Sequence, residues 1–462
     1  MMTGMTIAQL IPIAVSPALT RLFSPEQFGS FALFLGLAAV LSIIATARYD
    51  LAIVLPEAEE DAVNVVALCM VLCLAVGFVG FTIVLAFGDT VAELMLRSRE
   101  VTWLWLVPVM VILLGVNQTL GSWANRRKRY RSLAGNAIAL QGSTAGFSVL
   151  LGLAKTSING LILGRLVGQM TACVTLGWQM GRDFPWRAHR ISAARMWEVG
   201  IRYRKFPLYN VPYSFIGAFS KEFLIVAFSF FGQLSAAGLW GLARTVLYVP
   251  ITFLSNSLGQ VFYKEATDHF GKPQLESLAN RLMERIIDIF GPGFVLFAWW
   301  APDLFAWIFG PTWREAGLFA TIFSPAAFLF LFTSWPERIY VVAGRQDVQL
   351  YIQVISDFVI ILTVAGLLAN GVTPTGCVAV YSVLSVGYHA AYLIGVYRVA
   401  AFSLSALWSL LRRVAMVLGG FSVVFAVVTT FTEPAVLQFS LCVSVLVVYY
   451  AVLVYRERLV RG

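Results

Sequence analysis

SPALTRLFSPEQFG, residues 16–29, closes one apolar run and opens the next. Pro17 has no N–H to donate to a helix, and together with Pro12 it is expected to kink or loosen the first helix. Arg21 ends that helix. Ser24 then reads as an N-cap and Pro25 as the first helical residue, while Gly29 allows close packing just inside the second helix. So short a turn between two apolar runs of about 20 residues is a membrane hairpin, because a helix of that length crosses a ~30 Å hydrocarbon core.

The same grammar repeats along the chain. Of its 462 residues 59% are hydrophobic and only 12% are charged, against roughly 25% charged in soluble domains. Barrel strands would be about half as long and would alternate in polarity, and no such alternation occurs. The expected fold is an all-α polytopic membrane protein of about fourteen transmembrane helices, near 3–20, 28–47, 63–87, 101–121, 133–153, 156–180, 207–230, 238–262, 286–308, 316–334, 348–369, 374–397, 414–431 and 435–455. No basic n-region with a small-residue cleavage site precedes the first run, so no cleavable signal peptide is expected. The chain enters apolar sequence almost at once, as it would if a short cytoplasmic leader preceded it.

Charge tests this count. With the N-terminus cytoplasmic, about 25 of the 33 Lys and Arg residues fall in cytoplasmic loops and about 5, Arg97 and Arg99 among them, fall outside. That asymmetry obeys the positive-inside rule and puts both termini in the cytoplasm. The net charge of +9 is therefore mainly topology. NRRKRYR (125–131) reads as an anchor against anionic lipid rather than a nucleic-acid patch. Outside loops are all short, which leaves no room for the catalytic loop of an integral-membrane polymerase. The longest cytoplasmic connection, 181–206, holds only Asp183 and Glu198 as acids and no nucleotide-binding glycines. No Walker motif is present. Cys69, Cys73, Cys173, Cys377 and Cys442 lie in apolar spans, and His189, His269 and His389 are scattered, so no metal, cofactor or catalytic group is expected.

SPEQFGSFAL (24–33) and QLSAAGLWGL (233–242) align without gaps, Gly29 on Gly238, Phe31 on Trp240 and Leu33 on Leu242. Both lie in the first turn of a six-helix half. The expected organisation is an N-lobe (1–180, helices 1–6), a cytoplasmic linker (181–206), a C-lobe (207–397, helices 7–12), and helices 13–14 with a cytoplasmic tail (398–462). Two such lobes around a central cavity are a transporter architecture. The acidic stretch PEAEEDA (56–62) has no counterpart in the second half.

A charge in the hydrocarbon costs roughly 2.5–3.5 kcal/mol on insertion scales and so tends to face a cavity. Arg165, Lys221 and Arg244 lie within apolar spans, and Arg21 and Arg48 at their boundaries. Snorkelling is the simpler reading for the boundary pair. Gly160, Gly164 and Gly168 make a small-residue packing face beside Arg165. Asp288 and Asp357 lie near cytoplasmic helix ends, where an interfacial role is the simpler one. The excess of cations suits an anionic substrate, a carboxylate or phosphate.

Ser16-Pro17, Leu19-Thr20-Arg21-Leu22, Ser24-Pro25, Phe28-Gly29 and Arg48-Tyr49-Asp50-Leu51-Ala52 resemble the opening of bacterial O-antigen-type polysaccharide flippases, within the multidrug/oligosaccharidyl-lipid/polysaccharide exporter superfamily. The resemblance implies two six-helix bundles and alternating access in the bacterial inner membrane. It implies as substrate an undecaprenyl-pyrophosphate-linked oligosaccharide, carried to the outer leaflet and passed to polysaccharide polymerase machinery. In the related lipid II flippases, arginines near the ends of the first two helices and in the eighth line the cavity; Arg21, Arg48 and Arg244 occupy comparable places. The expected substrate path is Arg21, Arg48, Arg165, Lys221 and Arg244, with Glu222 or Asp357 available for ion coupling. A drug or metabolite antiporter of the same superfamily is the rival reading, followed by a lipid-linked sugar polymerase and a structural scaffold.

Overall fold

The computed structural model describes residues 2–96, 102–155, 159–182 and 191–461, and among them every regular element is helical. Thirteen helices are long and apolar enough to cross a membrane, and the apolar segment Ile7–Leu22 is a shorter fourteenth. The protein is a multi-pass membrane protein. Arg97, Arg99, Asp183, Arg187, His189 and Arg190 lie outside the described residues.

Contacts divide the chain into two units, Met1–Leu242 and Ala243–Gly462. The first holds α1 (Met2–Leu22), α2 (Pro25–Ala45), α3 (Glu59–Leu96), α4 (Leu106–Arg126), α5 (Tyr130–Leu153), α6 (Gly160–Gly181), α7 (Ala193–Arg202), α8 (Val211–Phe230) and the start of α9 (Leu234–His269). Apolar side chains gain nothing by leaving lipid for protein, so close backbone approach drives packing here. α5 and α6 show it plainly: a Cβ on Gly164 would strike Ser148, one on Gly168 Thr144, and one on Gly160 Leu151. The expected glycine face is thus the α5–α6 contact.

α1 runs unbroken through Pro12 and Pro17. A proline leaves the carbonyl four residues earlier without its helical donor, and for Pro17 that carbonyl is Ile13. The Ser16 hydroxyl donates to it at 2.7 Å. α2 starts as expected: Pro25 is its first residue, the Ser24 hydroxyl accepts from Gln27 N, and Gln27 Oε1 accepts from Ser24 N at 2.9 Å. The two stretches that align in sequence also touch. A Cβ on Gly29 would collide with the Leu234 carbonyl, and one on Gly238 with the Pro25 carbonyl and, at 2.7 Å, with Gly29 N.

The second unit holds the rest of α9, then α10 (Pro273–Phe309), α11 (Arg314–Thr333), α12 (Arg338–Val342), α13 (Gln346–Ala369), α14 (Pro374–Val399), α15 (Leu404–Phe431) and α16 (Ala435–Arg461). α9 and α10 have 36 and 37 residues, about 54 Å each at 1.5 Å per residue. They outrun both the hydrocarbon core and the expected 238–262 and 286–308, turning over at Gly271 (φ +76°). The proline device recurs here. Pro325 frees the Thr321 carbonyl, which the Ser324 hydroxyl takes at 2.9 Å. Pro302 frees the Ala298 carbonyl, which the Thr321 hydroxyl takes at 2.8 Å from the neighbouring helix. α15 and α16 are fastened to α10 by a fork from Arg413 to Asp288 (3.0 and 2.6 Å), by Tyr450 donating to the Ile289 carbonyl (2.7 Å), and by a core of Val295, Phe425, Cys442 and Leu446.

Candidate functional site

α2 ends at Ala45, and the next residues build the most constrained point of the first unit. Ala47 (φ 46°) and Arg48 (φ 61°) are both left-handed, a conformation that costs an L-residue about 1–2 kcal/mol. Local bonds hold them: the Thr46 hydroxyl donates to buried Asp50 at 2.6 Å, and the Tyr49 hydroxyl donates to the Gly200 carbonyl at 2.9 Å. The turn aims Arg48 at α8, where Nε and Nη2 donate to Ser214 Oγ at 3.0 and 2.8 Å. The side chain is half-buried, and among the described residues its third nitrogen makes no hydrogen bond. Strained residues held by surrounding bonds concentrate at functional sites.

Lys221 and Glu222 lie two turns further along α8, Lys221 exposed and Glu222 half-buried. Glu222 lies against Gly36 of α2, where a Cβ would stand 3.6 Å from Oε2. Arg165, in α6, has its Nε buried without a hydrogen-bond partner. The Thr144 hydroxyl of α5 is in that state too, while Gln169, one turn on, reaches Cys173. Buried polar atoms are nearly always paired in proteins, so the Arg165 N–H and the Thr144 hydroxyl each offer a donor to a polar occupant. Arg21 is exposed and folds back to donate to the Pro17 carbonyl at 2.9 Å. It and Arg48 flank opposite ends of α2, about 32 Å apart along a 21-residue helix. These cations are thus strung along the first unit rather than gathered at one point, with Arg48 reaching α8 and Lys221 lying two turns along it.

In the second unit Arg244 is half-buried on α9, one turn before Tyr248, whose ring packs on Phe323 and Phe330 at 5.8 and 4.9 Å. Asp357 lies half-buried midway along α13, and His389 shares a 3.0 Å hydrogen bond with Thr333. A cleft of about 370 Å³ between α10, α11 and α15 is lined by Phe294, Phe328, Leu418 and Ser422. Among the described residues no group of His, Cys, Asp and Glu could hold a metal ion.

Sequence reasoning missed α7 and its clamp. Asp61, on α3, is 6% exposed and binds Arg195 at 2.9 Å and Arg202 at 2.6 Å. Hydrogen bonds that they donate to Glu198 and to Asp61 respectively hold the Arg195 and Arg202 guanidiniums above the usual arginine range. Glu59 pairs with Arg127, and Asn64 accepts from Ser192 N at 3.1 Å. The acidic stretch 56–62 was the available signal: it supplies counter-charges to the basic connections.

Helices of this length, packed through glycines and carrying internal cations, define a polytopic membrane protein. The sequence profile of the family described as "Polysaccharide biosynthesis protein" matches residues 18–317, and the chain belongs to that family. The lipid II flippase MurJ, in an inward closed conformation, has a similar fold, with a TM-score of 0.75 at 12% identity over 99% of each chain. An inward-facing multidrug resistance MATE transporter of the MOP superfamily follows with a TM-score of 0.59 at 14% identity, over 87% of this chain and 95% of that one. Both are transporters rather than enzymes. No curated protein matches in sequence.

Proposed function

We propose that this protein carries an undecaprenyl-pyrophosphate-linked oligosaccharide from the cytoplasmic to the outer leaflet of the bacterial inner membrane, by alternating access, for O-antigen, capsule or exopolysaccharide assembly. The observation that carries the proposal is the sign of the intramembrane charge: Arg165, Lys221 and Arg244 lie within candidate spans, and Arg21 and Arg48 lie at span ends. Arg48 presents a guanidinium edge, and Arg165 a buried N–H in need of an acceptor; both suit pyrophosphate oxygens. Family membership supports the polysaccharide, and likeness to a lipid II flippase supports the lipid carrier.

In this reading the cations form successive pyrophosphate sites, the sugars cross in a hydrated path, and the isoprenoid stays in the bilayer, with the α10–α11–α15 cleft open to it. Residues 1–180 and 207–397 act as the moving lobes, 181–206 links them, 398–462 adds two helices, and both termini are cytoplasmic. Product passes to polysaccharide polymerase machinery. An inside-negative potential assists an outward-moving anion by about 2.3 kcal/mol per charge per 100 mV. Glu222 on α8 and Asp357 midway along α13 are the candidates for ion coupling.

Those same carboxylates favour the second reading, an ion-driven drug or metabolite antiporter. Flipping of a fluorescent undecaprenyl-pyrophosphate oligosaccharide in proteoliposomes separates the two. Wild type should flip it, and Arg48→Ala and Arg244→Ala should each slow it at least tenfold with insertion unchanged. A wild type that moves no lipid-linked sugar under any gradient overturns the flippase reading.

A further inference from the structure

Apart from these residues, α13 and α14 enclose a groove of about 590 Å³. Its wall is apolar, with Val348 and Ile352 from α13 and Ala391 and Ile394 from α14. Gly395 makes the floor, where a Cβ would lie 2.9 Å from Ile352 and would strike the Tyr340 hydroxyl. One end carries Arg345, just before α13, and Arg398, in the last turn of α14. Arg345 is committed in part, its Nε and Nη2 donating to Asp347 at 3.1 and 3.3 Å. Arg398 has no ion-pair partner among the described residues and is exposed. The mouth therefore holds one net positive charge, beside the first turn of α13, whose dipole also favours an anion.

We propose that this groove holds one anionic glycerophospholipid of the surrounding leaflet, its phosphodiester on Arg398 and Arg345 and one acyl chain along the apolar wall. Charge and depth select that occupant. α13 and α14 are both membrane spans, so the wall lies at bilayer depth while the arginines lie at the span ends, where basic pockets between helices take up lipid headgroups. A single net positive charge matches a phosphodiester monoanion better than a pyrophosphate. A soluble anion would leave the wall uncovered. Arg345, capping α13, and Arg398, at the end of α14, lie at span ends that the charge asymmetry assigns to the cytoplasmic side, so one headgroup can reach both.

The test is native mass spectrometry of the full chain in detergent, titrated with phosphatidylglycerol or phosphatidylcholine. One phosphatidylglycerol should be retained in preference to phosphatidylcholine. Arg398→Gln should weaken it about tenfold. Ala391→Trp keeps the charge but crowds the wall, and should weaken it as much. Arg412→Gln, exposed and outside the groove, should bind like wild type and controls for loss of any arginine. The proposal fails if wild type shows no preference, if Ala391→Trp binds like wild type, or if glycerol phosphate competes as well as the whole lipid. It fails equally if undecaprenyl pyrophosphate binds there more tightly, since the groove would then belong to the substrate.

Discussion

Ala47 and Arg48 share a left-handed turn, but only Arg48 has a side chain that reaches across to another helix. The two can therefore be tested apart. Ala47→Gly removes a Cβ from a conformation that disfavours it and should stabilise the protein by about 0.5–1 kcal/mol, read as a higher melting temperature with flipping intact. Arg48→Lys keeps the charge but loses the two-nitrogen grip on Ser214, and flipping should fall about tenfold, equivalent to about 1.4 kcal/mol. Equal rates for Arg48→Lys and wild type would reduce Arg48 to a point charge. Ser16→Ala removes the hydroxyl that donates to the Ile13 carbonyl inside the membrane; a loss of about 1–3 kcal/mol is expected, and a hydroxyl-retaining Ser16→Thr should recover most of it. Residue types were readable at this scale, since a charge in an apolar run announces itself. Partners were not: Ser214 lies 166 positions from Arg48, and a left-handed arginine without a glycine leaves no mark in sequence.

Elements were legible where they cross lipid and obscure where they leave it. The Ser24-Pro25 start and the glycine face of α6 follow from local chemistry, and both stand in the structure. The ends of α9 and α10 and the whole of α7 were missed, because a polar helix beyond the bilayer carries no apolar run to find it by. α7 nevertheless has a defined seat. Asp61 is its anchor, and Asp61→Ala leaves Arg195 and Arg202 without that buried carboxylate. The expected result is faster tryptic cleavage at Arg195 and Arg202 than in wild type, with the membrane helices still protected. Trp197, 74% exposed on α7, offers a fluorescence probe of the same release.

For the whole molecule, topology and charge carried the reading furthest. The fold class followed from span length, whereas no composition or spacing names the sugar. The flippase reading makes an electrical prediction at this scale. A cargo with two negative charges gains about 4.6 kcal/mol at 100 mV, inside negative, so flipping in proteoliposomes should accelerate with that polarity and slow when it is reversed. Indifference to voltage would point to a neutralised cargo or to compensating ion exchange through Glu222 or Asp357. Gly29 and Gly238, finally, lie in one helix crossing, the first against the Leu234 carbonyl and the second against the Pro25 carbonyl. A methyl group gained at either closes the gap for both, so neither can drift alone. The two positions are yoked in inheritance as well as in space, and kindred sequences should keep them small together or enlarge neither.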